Sequence, residues 1–106
     1  MKKIIFAAVM AVMTSTSFAE STAVRTIKSV NIDGEESRFY FVANEGPWLA
    51  PGCENATYVY ILSSTLGKKE ILAAALAAKM AGAGVKFLGE CFTHPDYFVG
   101  TYIIVE

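Results

Sequence analysis

Cys91, His94 and Asp96 stand close together in the segment GECFTHPDYF. A thiol, an imidazole and a carboxylate are the parts of a nucleophilic set, in which the imidazole takes the thiol proton and the acid orients the imidazole. Such a set needs a free thiolate. Cys53 and Cys91 are the two cysteines of the chain. In an oxidising compartment two cysteines allow one intramolecular pairing, and the sequence has no C-x-x-C spacing suited to redox or metal work. A cysteine tied up in that pairing cannot attack a substrate, so the thiol set is set aside and Cys53 and Cys91 are read as a structural pair. With His94 the single histidine, no paired carboxylates at catalytic spacing and no glycine-rich phosphate cradle, we expect no enzyme, no metal site and no cofactor.

Recognition chemistry is better represented. THPDYF, positions 93–98, places His94, Asp96 and Tyr97 on a proline-shaped turn, where His94 and Asp96 can hydrogen-bond a ligand and Tyr97 can stack on it. Trp48, in the Pro/Gly-rich segment EGPWLAPGC, is a rigidly held aromatic that could stack on a sugar or anchor a protein partner. The competing role for Trp48 is a plug at one end of a small core beside the cysteines. Tyr40, Tyr58, Tyr60 and Tyr102 recur on strand-like segments and suit either a ligand face or ordinary sheet formation.

The chain's N-terminus indicates export. Met1-Lys2-Lys3 is a positive start, Ile4 to Met13 is an uncharged apolar run, and Ser17-Phe18-Ala19 has the small-x-small form of a cleavage site. Residues 1–19 are thus expected to be a cleaved signal peptide of bacterial type, and residues 20–106 a single periplasmic or secreted domain. The apolar run is short for a membrane span, so no membrane association is expected after cleavage. Loss of Lys2 and Lys3 lowers the basic count from 9 to 7 against 10 acidic residues, moving the formal charge from −1 to −3. The remaining basic residues are scattered apart from Lys68-Lys69, which argues against nucleic acid as a partner.

The elements that must carry these residues read from the pattern. VRTIKSVNID, positions 24–33, is strand-like, but its alternation changes phase near Ile27 and Lys28, as at a bulge or bend. Asp33-Gly34 marks a turn into a second strand, SRFYFVAN, and TYVYIL is a third, with Tyr58 and Tyr60 on one face and Val59 and Ile61 on the other. Ser63, Ser64 and Thr65 are candidate caps for an alanine-rich helix with a stripe of Leu72, Leu76 and Met80, stopped at Gly82 or Gly84. VKFLGECF and YFVGTYIIVE complete the set as strands. The order strand-strand-strand-helix-strand-strand predicts a mainly β domain with one helix, and above all a five-stranded OB-fold-like barrel; the alternative is an α+β layer with a flat antiparallel sheet.

The run from YVYIL through KKEILAAALAAKMAGAGVKFLGEC to YFVGTYIIVE resembles the last two-thirds of small exported bacterial proteins related to the subtilase-cytotoxin B subunit. The features are Tyr58 to Leu62, Leu72 to Met80, Gly82, Val85, Cys91, Tyr97 and Tyr102 to Val105. The resemblance implies an OB-fold and a disulfide from the approach of the third strand to the end of the fourth. It also implies a ring of subunits displaying shallow glycan pockets, with helices around a central pore. It does not extend to the N-terminal third, and no serine here can be matched to the glycan-contacting serine of those subunits, so the toxin role is not transferred. The expectation is an exported, non-catalytic binding module for a glycan or protein surface, acting as a homo-oligomer; the alternative is a monomeric periplasmic inhibitor working through one protein contact.

Overall fold

A computed structural model describes residues 20–91 and 97–106. The expected signal segment, His94 and Asp96 lie outside the described residues. Seven elements follow one another: β1 Glu20–Ser21, β2 Ile27–Asp33, β3 Arg38–Ala43, β4 Tyr58–Ile61, α1 Lys68–Ala81, β5 Val85–Cys91 and β6 Tyr97–Val105. The six strands form one sheet in the order β1-β5-β6-β4-β3-β2, mixed in direction because β4 and β6 run parallel.

The domain is therefore mainly β with one helix, but it is not a closed five-stranded barrel. Glu20 and Ser21 add a sixth strand outside β5, where the ladder would otherwise end. Arg25, just ahead of β2, reaches β5 through an isolated bridge to Val85, with backbone bonds of 2.8 and 2.7 Å, and the ladder goes no further. The sheet nevertheless curls, since α1 touches both β6 and β2, which are separated by two strands in the order.

The phase change expected in β2 is a bulge: Ile27 pairs with Ala43 and Ser29 with Val42, so Lys28 is the extra residue. That one insertion lets Ile27 face the core while Val30 also packs against it. The β2–β3 connection is longer than a two-residue turn. Asp33 Oδ1 accepts from the backbone N–H of Glu35 (3.1 Å) and Glu36 (3.3 Å), and the left-handed backbone position falls on Ser37, not Gly34. The carboxylate at Asp33 organises four residues, and so replaces the tight turn that Asp-Gly suggests.

On the inner face Phe39, Phe41, Val59, Ile61, Phe87 and Phe98 are buried, with Phe41 stacked on Phe87 at 5.2 Å. Gly100 belongs to this face because a Cβ there would stand 3.0 Å from Val59 Cγ1 and 3.3 Å from Ile61 Cδ1. Alanine's high helix propensity supports α1, which starts at Gly67 without a side-chain cap, so Ser63, Ser64 and Thr65 do not serve that role. It stops at Gly82 in the left-handed conformation, with Ala83 N–H reaching back to the Ala78 carbonyl at 2.9 Å. The buried side of α1 is Ile71, Ala75 and Ala78, whereas Leu76 is 41% exposed and Met80 86% exposed. Of the Leu72-Leu76-Met80 stripe, Leu72 packs half-buried against the core, while Leu76 and Met80 turn outward. The small Ala75 and Ala78 side chains let the helix axis lie close to β6, leaving no room there for leucine or methionine.

Cys53 and Cys91 form a disulfide across a sequence separation of 38 residues. Among the described residues no helix is long and apolar enough to cross a membrane.

Candidate functional site: a tyrosine face on the sheet

β3 and β4 alternate strictly, burying Phe39, Phe41 and Ala43 in one strand and Val59 and Ile61 in the other. Every intervening residue must therefore point to the opposite face, and those residues are Arg38, Tyr40, Val42, Tyr58 and Tyr60. Register brings them together. Tyr40 lies directly opposite Tyr60, Val42 opposite Tyr58, and the parallel β4–β6 pairing sets Tyr58 beside Tyr97 and Tyr60 beside Val99. Four tyrosines from three strands so converge on one half-buried patch.

The rings touch one another. Tyr40 meets Tyr58 edge-on at 5.3 Å and 89°, and meets Tyr60 at 5.0 Å with a 36° tilt. Tyr60 in turn meets Tyr97 at 4.6 Å and 68°. Edge-to-face geometry of this kind is favoured by the ring quadrupole, which holds the group as a ridged surface. The Arg38 guanidinium lies 4.9 Å from the centre of the Tyr60 ring, and its Nε donates to Asp33 Oδ2 at 3.2 Å. Arg38 is thus fixed over the ring by a carboxylate on the neighbouring strand. Asn31 completes this side, its amide donating to Ser29 Oγ (3.0 Å) and to the Tyr40 carbonyl (3.3 Å).

Burial raises the pKa of Tyr60, partly opposed by the positive charge of Arg38, so its hydroxyl keeps its proton to higher pH than an exposed tyrosine. The Asp33 carboxyl is held below its usual range, first by the backbone N–H of Glu36, with further help from the N–H of Glu35 and from Arg38. At neutral pH the Tyr60 hydroxyl therefore keeps its proton, and Asp33 meets Arg38 as a carboxylate.

The residues singled out from sequence fall in different places. Tyr97 opens β6 and belongs to the tyrosine cluster. Trp48 is fully buried: its indole Nε1 donates to the Phe41 carbonyl at 3.2 Å and its ring meets Phe87 edge-on at 5.3 Å. It has no exposed surface with which to stack on a ligand and acts as packing beneath the sheet. Cys53 and Cys91 join the loop ahead of β4 to the end of β5, beside the strands that carry Tyr58 and Tyr97. Among the described residues no group of three His, Cys, Asp or Glu side chains could hold a metal ion. Sequence reasoning noticed Tyr40, Tyr58 and Tyr60 separately but missed Arg38, whose position over Tyr60 depends on the pairing of β3 with β4.

Comparison with protein-family models, with curated proteins and with solved structures returned no match. The geometry of the face therefore carries the functional argument.

Proposed function

We propose that this protein is an exported, non-catalytic binding module that uses the tyrosine face to hold a glycan or polypeptide partner. The observation carrying this reading is the convergence of Tyr40, Tyr58, Tyr60 and Tyr97, with Arg38, on one half-buried patch of the sheet. Aromatic rings with hydroxyl tips combine apolar contact area with hydrogen bonding at small entropic cost, which is why they dominate recognition surfaces. The ring array offers shape and stacking but no nucleophile or general base tuned toward neutral pH.

The disulfide is compatible with the oxidising compartment that the N-terminal sequence implies. The outward side of α1, with Ala73, Leu76, Ala77 and Met80 exposed, supports self-association of the module. Its native mass by light scattering under non-reducing conditions tests that part, and a concentration-independent monomer would remove it.

The binding reading is tested with Tyr40→Ala and Tyr60→Ala, probing glycan arrays and immobilised cell-envelope fractions while buried Trp48 fluorescence reports folding. Loss of capture by folded variants is the expected result. Capture that survives both substitutions would place the function elsewhere on the molecule.

A further inference from the structure

Transverse rows of side chains cross the outer face of the sheet, and one of them has a distinct polarity. In register it runs Asn31 on β2, Tyr40 on β3, Tyr60 on β4, Val99 on β6 and Glu90 on β5. The polar amide at one end and the tyrosines beside it give way to a buried Val99, and the row ends in an exposed carboxylate. Glu90 forms no ion pair with another described residue. At the opposite corner the charges are already matched, since Arg38 and Asp33 neutralise each other.

We infer that the face takes an extended, proline-rich polypeptide segment in the polyproline II conformation, laid across the strands with a basic residue at the Glu90 end. This rests on the binding-module reading above and narrows it to one ligand class. Three features favour a peptide over a sugar. The steep ring angles, 89° between Tyr40 and Tyr58 and 68° between Tyr60 and Tyr97, make ridges where a pyranose needs a flat open ring. The Tyr60 ring already carries the Arg38 guanidinium at 4.9 Å. The hydroxyls of Tyr40, Tyr58 and Tyr60 bond to no other described residue, leaving them free to donate to a backbone. A polyproline II chain has no internal hydrogen bonds, so its carbonyls seek such donors, and its preformed shape limits the entropy lost on docking.

Length and charge set the register. From Tyr40 to Glu90 the row crosses three strand gaps, about 14 Å at the usual spacing. At about 3.1 Å per residue this corresponds to four or five residues of polyproline II. A basic side chain that far along the peptide from the residue seated on Tyr40 meets the Glu90 carboxylate. The charge pairing selects Lys or Arg and disfavours an acidic residue there.

Fluorescence anisotropy with the purified protein tests this, using a labelled hexapeptide Pro-Pro-Leu-Pro-Pro-Arg, its neutral analogue ending in Gln, and a Gly/Ser peptide ending in Arg. The first should bind best, the Gln analogue about three-fold more weakly, as for an exposed ion pair, and the Gly/Ser peptide not measurably. Glu90→Gln, at an exposed site, should erase the difference between the first two peptides and leave the neutral one unchanged. Tyr40→Ala should weaken both proline-rich peptides by about ten-fold, the size of an anchoring aromatic contact. A proline-rich peptide that shows no saturable binding overturns the inference, as does an Arg preference that persists in Glu90→Gln. Neutral oligosaccharides run in parallel separate the two readings: binding of a sugar that Tyr40→Ala abolishes, without peptide binding, sinks the peptide assignment and leaves the face standing as a site. Envelope capture that Tyr40→Ala leaves intact, with neither probe bound, sinks both.

Discussion

Replacing Ile71 and Met80 by alanine, one at a time, separates two accounts of how α1 is held. Both lie on the same helix and both lose a large side chain. Ile71 is 7% exposed and packs inside the core cluster, whereas Met80 is 86% exposed. Ile71→Ala removes nearly all of a buried side chain, which costs about 2–4 kcal/mol once the residual cavity is included. Met80→Ala removes side chain that already stands in water, and alanine is at least as good a helix former, so the change should lie within about 0.5 kcal/mol of zero. Leu76→Ala, at 41% exposure, should fall between the two, at about 1 kcal/mol. The assay is urea denaturation with the disulfide intact, followed by the fluorescence of Trp48, the single tryptophan, which is fully buried and whose indole is hydrogen-bonded. Midpoints compared at a common slope give the differences directly. A Met80→Ala cost equal to that of Ile71→Ala would mean that the helix buries its leucine–methionine stripe, and the inward alanine surface described here would be wrong.

Acid should loosen the β2 region first. Thr26 holds the Glu45 carboxylate through its hydroxyl at 2.7 Å and its N–H at 2.9 Å, which lowers the Glu45 pKa, and Asp33 is lowered by its turn N–H groups. Both folded values lie below the ordinary ones of 4.5 and 3.8, so their stabilisation is present above those values and is lost as pH falls through the lowered pKa of each. Urea midpoints should therefore be flat from pH 7 to 5 and decline below about 4.5, and Glu45→Gln should flatten part of that decline. Gly89→Ala should prevent stable folding, because a Cβ there overlaps the Val99 carbonyl and lies 2.9 Å from Gly100 Cα, both of them backbone; circular dichroism of the purified variant reads this. Loss of the disulfide in Cys53→Ser/Cys91→Ser should cost about 4 kcal/mol by the entropy of closing a 38-residue separation, and the urea midpoint of the variant measures it. A variant as stable as the parent would show that the unfolded chain gains little freedom when the link is cut.

Local patterns were legible where local physics decides them. The alternation of Val59 and Ile61 against Tyr58 and Tyr60, the alanine-rich helix, its stop at Gly82 and the bulge at Lys28 are each written within a few residues. What eluded the sequence depends on partners far along the chain. Glu20 and Ser21 carry no strand pattern and become β1 only because β5 offers them Gly89 and Leu88. The parallel pairing of β4 with β6 has no local sign, yet it brings Tyr97 to Tyr60 and creates the face. The stripe of Leu72, Leu76 and Met80 does not reveal which side of α1 is buried, since the core takes Ile71 with the small Ala75 and Ala78. Trp48 allows two readings from sequence, a ligand-stacking loop aromatic or a plug in the core, and the buried indole bonded to the Phe41 carbonyl is the plug.

The position of β6 has a consequence for the order of assembly. β4 and β5 lie at either side of it in the sheet, and the chain between Cys53 and Cys91 that carries both is closed by the disulfide. Without β6 the sheet divides into a β2-β3-β4 meander and a β1-β5 pair, joined by the Arg25–Val85 bridge and not by a continuous ladder. The last strand must slot into a frame whose two sides come from one covalent ring, forming a parallel ladder on one side and an antiparallel ladder on the other. β6 is thus the strand that joins the two halves by continuous ladders. Since β6 is the last element in chain order, neither of its ladders can form before Tyr97–Val105 is available.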